Sequence, residues 1–298
     1  MLVVGCGLAT LDLLGQVARM PAVDTKTELT AFSLQGGGPT ATALATLARF
    51  GATARLVGKV ADDEIGRLIR ADLTDAGVDV TWLVAGGPGV SPLSFVAVDG
   101  DGRRTVFHTS GVGARMEAGE WRRDALDGAD LLLVDGHQMD AQIAAVEQAH
   151  AAGVPVLLDA GSLREGMGDL MALADAAVVS ERFAGEVAPR GELEDSLVEL
   201  ARNGPRRVVI TLGEGGSIGV DGDKLVRQAA LEVRAMDTTG AGDVYHGAFA
   251  WGMVHGWPLE RTMVFASATA GLSCRTLGGR AGIPSLDEAL AAAGLEAT

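Results

Sequence analysis

The hydrophobic positions of this chain fall into two alternating patterns. Short apolar runs such as LVVGCGL (2–8) and ADLLLVD (129–135) have the length of buried strands, and similar runs recur at ARLVGKV, VPVLLDA, AAVVS and RRVVITLG. Between them lie segments of helical periodicity, such as 63–78, in which Ile65, Leu68, Ile69 and Leu73 would share one face. Strands that are each followed by a helix predict an α/β fold with a mostly parallel central sheet and helices on both faces.

Two segments interrupt this alternation. Residues 25–35 and 91–111 alternate polar and apolar side chains with a period of two, and the second contains an Asp-Gly-Asp-Gly turn at 99–102 that is typical of a hairpin. They predict either an antiparallel edge or a small β-lid over the carboxyl edge of the sheet, where α/β proteins bind ligands. No repeat or linker is evident, so we expect one domain over 1–298, with lid excursions at about 12–35 and 91–111.

The composition of the chain limits the classes of molecule that it is expected to bind. A formal net charge of −15 and a pI near 4.7 argue against a protein that neutralises nucleic-acid phosphates or anionic lipid, so small molecules are the expected partners. Only Lys26, Lys59 and Lys224 are lysines, so an anionic ligand would be held by arginine, backbone N–H groups or a metal ion. Two distant cysteines, an N-terminus that resembles a first strand more than a leader, and no membrane-length apolar run predict a cytoplasmic protein.

The segment MDTTGAGDVYHGAFAWGMV (236–254) carries the candidate chemistry. Gly240, Ala241 and Gly242 precede an apolar helix, so their unhindered N–H groups and the helix dipole would attract an anion. A carboxylate at Asp243 would repel a phosphate bound there. Its position is therefore explained best if it accepts a proton from an attacking hydroxyl. Phosphoryl transfer needs this combination of charge stabilisation and a base. The alternative is that Asp243 is only an acid favoured at a helix start.

Three motifs, DTTGAGD (237–243), GGGP (36–39) and GKVADDEIG (58–66), resemble the ribokinase-like sugar kinases of the PfkB family over nearly the whole chain. The resemblance implies a ribokinase-like fold with a β-lid, and ATP and Mg²⁺ as cofactors. It makes Asp243 the catalytic base, and Gly240, Ala241 and Gly242 the anion hole.

The resemblance also implies binding residues at other positions. Asp12, which would otherwise be a turn or cap residue, and the glycines Gly36, Gly37 and Gly38 would receive the sugar. In the loop TLGEGG (211–216), Thr211, Gly213 and Gly216 would contact ATP, together with Thr238.

The chain departs from the family pattern at two positions. Ala41 stands where many members carry an asparagine, and Ser180 and Phe183 replace the Asn and Glu of an Asn-x-x-Glu motif that is linked to magnesium. The metal ligands therefore stay open: Glu181 or Glu186 would act through water, or the metal would rest mainly on the nucleotide phosphates. The stretch CRTLGGRAGIP (274–284) resembles one that holds a monovalent cation such as K⁺ in some relatives.

Within the family, the sequence resembles the sulfofructose kinase branch most. A sulfonate calls for cationic or amide donors, and Arg104, His108 and His137 are the candidate substrate-binding side chains. The resulting hypothesis is ATP-dependent phosphorylation of a primary hydroxyl on a ketose or related sugar, with sulfofructose or another fructose derivative among the candidates. The exposed edges of the lid strands predict a homodimer formed through the lid.

The sequence is compatible with two further functions and excludes two other folds. A nucleoside or other small-alcohol kinase of the same fold and a catalytically silent, sugar-binding regulatory protein both stay open. A dinucleotide-binding fold and a P-loop nucleotidase fail because the glycine spacings of GCGLAT and GATARLVGKV do not fit their motifs.

Overall fold

A computed structural model describes residues 1–87, 89–101, 103–111, 113, 115–187, 192–202 and 204–296. Its strands within these ranges are β1 Leu2–Cys6, β2 Thr10–Gln16, β3 Ala31–Gly37, β4 Thr53–Val60, β5 Val78–Asp79, β6 Leu83–Ala85, β7 Leu93–Val98, β8 Arg104–Thr109, β9 Leu131–Val134, β10 Val156–Ala160, β11 Ala176–Ser180, β12 Arg207–Thr211, β13 Ser217–Asp221 and β14 Lys224–Gln228. The helices are α1 Pro39–Arg49, α2 Glu64–Asp75, α3 Met139–Ala152, α4 Met167–Leu173, α5 Glu181–Val187, α6 Leu193–Arg202, α7 Ala241–Val254, α8 Leu259–Ser273 and α9 Leu286–Ala293.

The larger sheet has the strand order β14-β13-β12-β11-β10-β9-β1-β4-β5, with β6 paired to β4. Pairing is parallel from β12 to β5, and β13 and β14 extend the sheet as antiparallel strands. The predicted mostly parallel sheet is therefore confirmed. The carboxyl ends of β1, β9, β10, β11 and β12 lie along one edge, where ligand sites of α/β proteins form.

Each face of this sheet buries its own hydrophobic cluster. Alternate residues of β1 and β9 point to opposite faces: Val3, Leu131 and Leu133 pack with α1, α2 and α7–α9, while Val4, Leu132 and Val134 pack with α3–α6. This two-sided burial explains why these strands are continuously apolar in sequence.

The predicted apolar face of α2 is partly wrong. Gly66, Ile69 and Leu73 are buried, but Leu68 is 37% exposed. At about 100° per residue, Leu68 lies on the far side of the helix from the mean direction of those three buried residues, so only a narrow stripe of α2 reaches the core.

A second, four-stranded sheet has the order β3-β2-β7-β8 and contains the period-two segments. It is separate from the larger sheet, so the alternative of an antiparallel edge is wrong. Residues 25–30 are not strand, since β3 begins at Ala31, and Gly102 of the predicted turn lies outside the described residues. β7 and β8 pair antiparallel, as the hairpin signal predicts.

The register of the small sheet sorts its side chains onto two faces. One cross-strand row consists of Gln35, Asp12, Ser94 and His108, and the next consists of Leu34, Leu13, Phe95 and Phe107. Because side chains alternate between faces, the polar row and the apolar row lie on opposite sides of the sheet. Among the described residues, no helix is long and apolar enough to cross a membrane.

Candidate active site

Helix α7 begins at the residues that the sequence singles out. Gly240 is its N-cap with a φ of 71°, a left-handed conformation that favours glycine, and no side chain caps the helix. The first N–H groups of a helix lack intrahelical partners, and here that of Ala241 donates to the Thr238 carbonyl at 3.3 Å. A Cβ at Gly242 would meet nothing within 4 Å, so the space beside this residue is open. The first turn can therefore receive an anion, with Gly242 a better placed donor than Ala241.

Asp243 lies in this first turn, where its surroundings favour the protonated carboxyl group. Burial, followed by the negative charges of Asp159 and Asp12, raises its pKa to about 7, although His246 and Arg104 oppose the shift. Part of the residue still reaches solvent. A carboxylate with a pKa near neutrality is well matched to accepting a proton at physiological pH.

His246, one turn further along α7, connects the first turn of this helix to the sheet. Its Nδ1 lies 2.6 Å from the Gly242 carbonyl, and its Nε2 lies 2.9 Å from the Val178 carbonyl and 3.3 Å from Asp159 Oδ1. Burial lowers the pKa of His246, and these carbonyl acceptors oppose the lowering. Burial and the charge of Asp135 raise the pKa of Asp159 well above its ordinary value, and the charge of Arg164 opposes the shift.

Asp12 points from lid strand β2 into the same region. Its Oδ1 accepts a hydrogen bond from Thr10 Oγ1 at 2.8 Å, and Ser94 of β7 also bonds to its carboxyl group. Burial raises the pKa of Asp12, while these hydroxyls and the charge of Arg280 oppose the shift. A side chain at Gly37 would overlap the Asp12 carboxylate, so glycine is required where the chain passes this acid.

The third glycine of the GGGP motif has a different role. Gly38 is the N-cap of α1 with a φ of 91°, and a Cβ there would lie 2.5 Å from the Leu8 carbonyl oxygen. Ala41, at the position where an asparagine is common, is fully buried. Gly38 therefore starts a helix, and Gly36 and Gly37 lie in strand β3 beside Asp12.

His108 and His137 are brought together with Arg164, an arginine that the sequence interpretation missed. Burial lowers the pKa of His137, and the positive charges of Arg164 and His108 lower it further, against the attraction of Asp135. Asp135 is 2% exposed and accepts hydrogen bonds from Leu8 N, Thr40 Oγ1, His137 N and Gln142 Nε2 at 2.7–2.9 Å. These donors and the charge of His137 hold the pKa of Asp135 below its ordinary value in spite of burial.

Arg164 interacts with Asp159 and Glu186 through its charge but forms no close ion pair among the described residues. Among the described residues, no carboxylate lies within 4 Å of its guanidinium, and its Nη1 makes one long hydrogen bond of 3.5 Å to the Ser162 carbonyl. Arg164 is half-buried at the carboxyl end of β10. The Arg164–His137–His108 cluster thus combines one guanidinium with two imidazoles, and Arg164 keeps N–H donors that the described contacts do not use.

Arg104 lies at the other end of β8. Its Nη1 donates to Thr238 Oγ1 at 2.9 Å, and its charge opposes protonation of Asp243. The structure therefore places this lid arginine beside the anion-binding turn instead of with His108 and His137.

The predicted nucleotide loop follows β12 at the same edge of the sheet. Thr211 pairs with Ser180 in the sheet and its Oγ1 donates to the Val179 carbonyl at 3.3 Å. Gly213 and Gly216 have φ values of 58° and 85°, and a Cβ at Gly216 would overlap the Gln228 carbonyl. Both glycines are needed for this turn, and their contact with ATP stays a prediction.

The substituted metal motif has a structural use. Ser180 Oγ accepts from Phe183 N at 3.0 Å and donates to the Gly161 carbonyl at 2.8 Å, while Phe183 is buried. Glu186 is occupied by Arg182 and Leu163 N. The described residues hold no cluster of three or more potential metal ligands, but Asp159 Oδ2 is buried there without a hydrogen-bond partner. This donor set fits Mg²⁺ carried mainly by nucleotide phosphates and water.

The sequence motifs thus located most of the site and missed residues that converge from distant segments. Asp243, Asp12 and Arg104 lie within electrostatic reach of one another, as do His108 and His137. The residues missed are Asp72, Ser94, Asp135, Asp159, Arg164, His246 and Arg280. Two signals could have found some of them: Asp135 and Asp159 end predicted strands, and Ser94 lies in the period-two segment.

A comparison with protein families matches residues 2–286 to the model described as pfkB family carbohydrate kinase. Among curated relatives, an ATP-dependent ribose-1-phosphate kinase from Halopiger xanaduensis is 30% identical over 93% of both chains. A ribokinase from Staphylococcus aureus is 26% identical over 85% of this chain and 86% of its own.

Solved structures show the same similarity. A candidate ribokinase from Agrobacterium tumefaciens is 29% identical, covers 98% of this chain and 97% of its own, and superposes with a TM-score of 0.93. Arabidopsis thaliana ribokinase, solved with ribose and ATP, is 24% identical, covers 99% of both chains and has a TM-score of 0.85.

Proposed function

Since this chain belongs to the pfkB family of carbohydrate kinases, we propose that it transfers the γ-phosphoryl group of ATP to the primary hydroxyl of a furanose sugar that already carries an anionic group. Membership makes it a phosphotransferase with an alcohol acceptor, and the predicted ribokinase-like fold is confirmed. The observation that carries the finer proposal is the Arg164–His137–His108 cluster.

The chemistry follows from the first turn of α7. Asp243 would accept the proton of the primary hydroxyl while the hydroxyl oxygen bonds to the γ-phosphorus and the bond to the departing ADP oxygen breaks. The N–H of Gly242 and the helix dipole would stabilise the charge on the phosphoryl group. Asp12 would accept hydrogen bonds from sugar hydroxyls. Bound Mg²⁺ would neutralise the nucleotide phosphates, with Asp159 Oδ2 the nearby protein oxygen still lacking a partner among the described residues.

An anionic acceptor is favoured by the charges around His137. Three groups able to carry positive charge lie close together there, and the oxygens of Asp135 are already engaged by four hydrogen-bond donors. A bound anion would relieve that crowding and use the free donors of Arg164. The relative from Halopiger xanaduensis, whose name specifies a phosphorylated pentose, supports ribose 1-phosphate as the first acceptor to test. Sulfofructose and the fructose phosphates carry the same class of group and stay hypotheses.

Replacement of Arg164 tests this proposal. We expect Arg164→Gln to raise the KM for a phosphorylated or sulfonated acceptor about 10- to 100-fold, because a charge-assisted hydrogen bond in a shielded site contributes about 1.5–3 kcal/mol. Acceptor-dependent ADP release would be measured with ribose 1-phosphate, fructose phosphates, sulfofructose, ribose, fructose and a nucleoside. Arg206→Gln, at the amino end of β12, is the matched control because its side chain is exposed and far from the site. A wild-type preference for neutral ribose, or an unchanged KM in the variant, would contradict the anionic acceptor.

The outer face of the lid supports a second part of the proposal, a homodimer. Phe32, Leu34, Phe95 and Phe107 lie on this face, and Phe107 and Phe32 remain 64% and 59% exposed. A contiguous group of large apolar side chains of this kind is typical of a protein interface. Two copies stacked through this face would bury it and leave the polar row of Asp12 and His108 turned toward the site.

We expect the wild-type chain to be a dimer at micromolar concentration and Phe107→Lys to be monomeric, because two lysines would be forced into an apolar contact. Light scattering after size-exclusion chromatography measures this directly. Val198→Lys, which alters another exposed apolar side chain, on α6, should leave the mass unchanged. A monomeric wild-type chain would disprove the dimer.

A monovalent cation such as K⁺ remains a prediction. Asp237, 1% exposed, accepts from Thr239 N, Thr239 Oγ1 and Gly278 N, and thereby joins the approach to α7 with the segment 274–284. The buried carboxylate of Asp237 is the group that would attract a cation to this place.

A further inference from the structure

Arg280 is a buried arginine that the proposed chemistry does not use. It follows Gly278 and Gly279 in the loop between α8 and α9, and its side chain is 8% exposed. Its Nη2 donates to the Gly37 carbonyl at 2.8 Å, its Nε donates to Thr42 Oγ1 at 3.3 Å, and its Nη1 pairs with Asp72. One guanidinium therefore contacts strand β3, helix α1 and helix α2.

Asp72 contacts both Arg280 and the glycines of strand β3. While one of its carboxylate oxygens binds Arg280, the other accepts from Gly36 N at 2.8 Å. A Cβ at Gly36 would overlap both Asp72 and Arg280, so this glycine lies directly against the ion pair. The N–H of Gly36 and the carbonyl of Gly37 are thus held by the two partners of a single salt bridge.

The backbone of Arg280 lies against the other half of the site. Gly279 contacts Gly240 so closely that a Cβ on Gly240 would lie 2.7 Å from the Gly279 Cα atom. Gly278 N donates to Asp237 Oδ2 at 2.8 Å, and Arg280 N donates to Gln35 Oε1 at 3.1 Å. The segment 278–280 therefore contacts both the anion-binding turn and the glycines beside Asp12.

We propose that Arg280, through its ion pair with Asp72, is a positioning residue that holds the acceptor-binding Gly36–Gly37 strand at its working distance from the anion-binding turn of α7. This inference rests on the proposed function, which assigns the acceptor to Gly36 and Gly37 and the transferred phosphoryl group to the first turn of α7. Arg280 does not exchange a proton with the substrate. Its charge also opposes the effect of burial on Asp12 and so helps that carboxylate to accept hydroxyl hydrogen bonds.

An arginine suits this role better than a lysine does. The guanidinium offers five N–H donors in a rigid plane and can satisfy a carbonyl, a hydroxyl and a carboxylate at once, whereas an ammonium group is a single compact charge. Arg280→Lys would keep the charge near Asp72 but lose at least one of the contacts to Gly37 and Thr42. Small displacements of a bound substrate are costly, since a shift of about 1 Å can reduce turnover about 10²-fold.

The experiment measures the KM for acceptor and for ATP separately. For Arg280→Lys we expect a rise of tenfold or more in acceptor KM, with the KM for ATP within twofold of wild type. Asp72→Asn should act in the same direction, and the double variant should be no worse than the more impaired single variant, because both substitutions break one unit. Arg49→Lys, on the exposed end of α1, is the control that should change neither constant. Unchanged acceptor KM in both folded variants would overturn the proposal.

Hydrogen exchange provides a readout that needs no acceptor. In Arg280→Lys and Asp72→Asn, the amide of Gly36 should exchange at least tenfold faster than in wild type, whereas the amides of β9 should be unaffected. Thr42→Val removes only one partner of Arg280 and should show a smaller change, which keeps the test available if the stronger variants fail to fold. Gly36 exchange at the wild-type rate in all three variants would also overturn the proposal. Wild-type inactivity on every acceptor, with faster Gly36 exchange in the variants, would instead count against the proposed function alone.

Discussion

Asp243→Asn is expected to lower kcat about 10²- to 10⁴-fold, the usual contribution of a positioned general base. The amide keeps the shape of the side chain but cannot accept the hydroxyl proton. The measurement is acceptor-dependent ADP release at saturating ATP. Asp140→Asn is the matched control, because Asp140 is likewise an acid in the first turn of a fourteen-residue helix, α3, but is exposed. Equal, small effects of the two substitutions would show that Asp243 is only a helix-start acid.

The pH dependence should identify the same group. With the pKa of Asp243 raised to about 7, kcat/KM of the wild-type enzyme should fall roughly tenfold per pH unit below that value, because only the ionised form accepts a proton. The same shift means that the folded chain binds this proton more tightly than the unfolded chain does. Stability from Asp243 is therefore full below the ordinary aspartate pKa and is lost as the pH rises to about 7.

The wild-type chain loses this stability as the pH rises from 5 to 8, whereas Asp243→Asn has no carboxyl group to lose it. The melting temperature of the variant minus that of the wild type should therefore be higher at pH 8 than at pH 5. Thermal unfolding at both values measures the difference. A substitution that removes an unfavourable buried charge from an active site would lower the rate and raise the stability together. A variant whose relative stability declines toward pH 8 would contradict the raised pKa.

Gly240→Ala is expected to reduce kcat about 10²-fold, because it changes the geometry of the anion-binding turn. Gly240 has a φ of 71°, where a side chain costs about 1–2 kcal/mol, and a Cβ would also lie 2.7 Å from the Gly279 Cα atom. The backbone of one of the two segments must move, and the N–H of Gly242 moves with it. Steady-state kinetics of the purified variant measures the effect.

Gly256→Ala separates the two causes of this loss. Gly256 follows the other end of α7 with a φ of 64°, but a Cβ there would meet nothing within 4 Å. Both variants should lose a similar amount of stability from backbone strain, whereas only Gly240→Ala should lose activity. If the two variants have the same kcat, the contact with Gly279 has no role in catalysis.

The sequence was sufficient to predict the fold because the signals for it are local. Strands such as Leu131–Val134 are apolar on both faces, and α2 carries its own N-cap at Asp63, which accepts from Gly66 N at 2.7 Å. Asp243 was found in the same way, since the turn, the helix start and the acid are consecutive. The error at Leu68 arose because apolar periodicity does not give the width of the buried stripe.

The residues that sequence reasoning missed depend on pairing between distant segments. Ser94 reaches Asp12 only because β2 and β7 pair in one particular register, and a shift of one residue would turn it to the outer face. Arg280 and Asp72 are 208 positions apart in the chain. The stretch around Arg280 resembles a monovalent-cation site in sequence, whereas its side chain contacts Gly37, Thr42 and Asp72. Contacts of this kind are tertiary and leave no local pattern.

Helix α2 touches both halves of the lid, one at each end. At its start, Asp63 accepts from Ser91 N at 2.9 Å and from Ser91 Oγ at 2.6 Å, just before β7, and in its last turn Asp72 holds Gly36 of β3. A twelve-residue helix is a rigid connection between these two anchors. Acceptor bound at Gly36 and Gly37 would therefore be sensed by the hairpin that carries Arg104 and His108. We therefore expect the two lid segments to move together, so that closure is a concerted motion in which neither segment folds down alone.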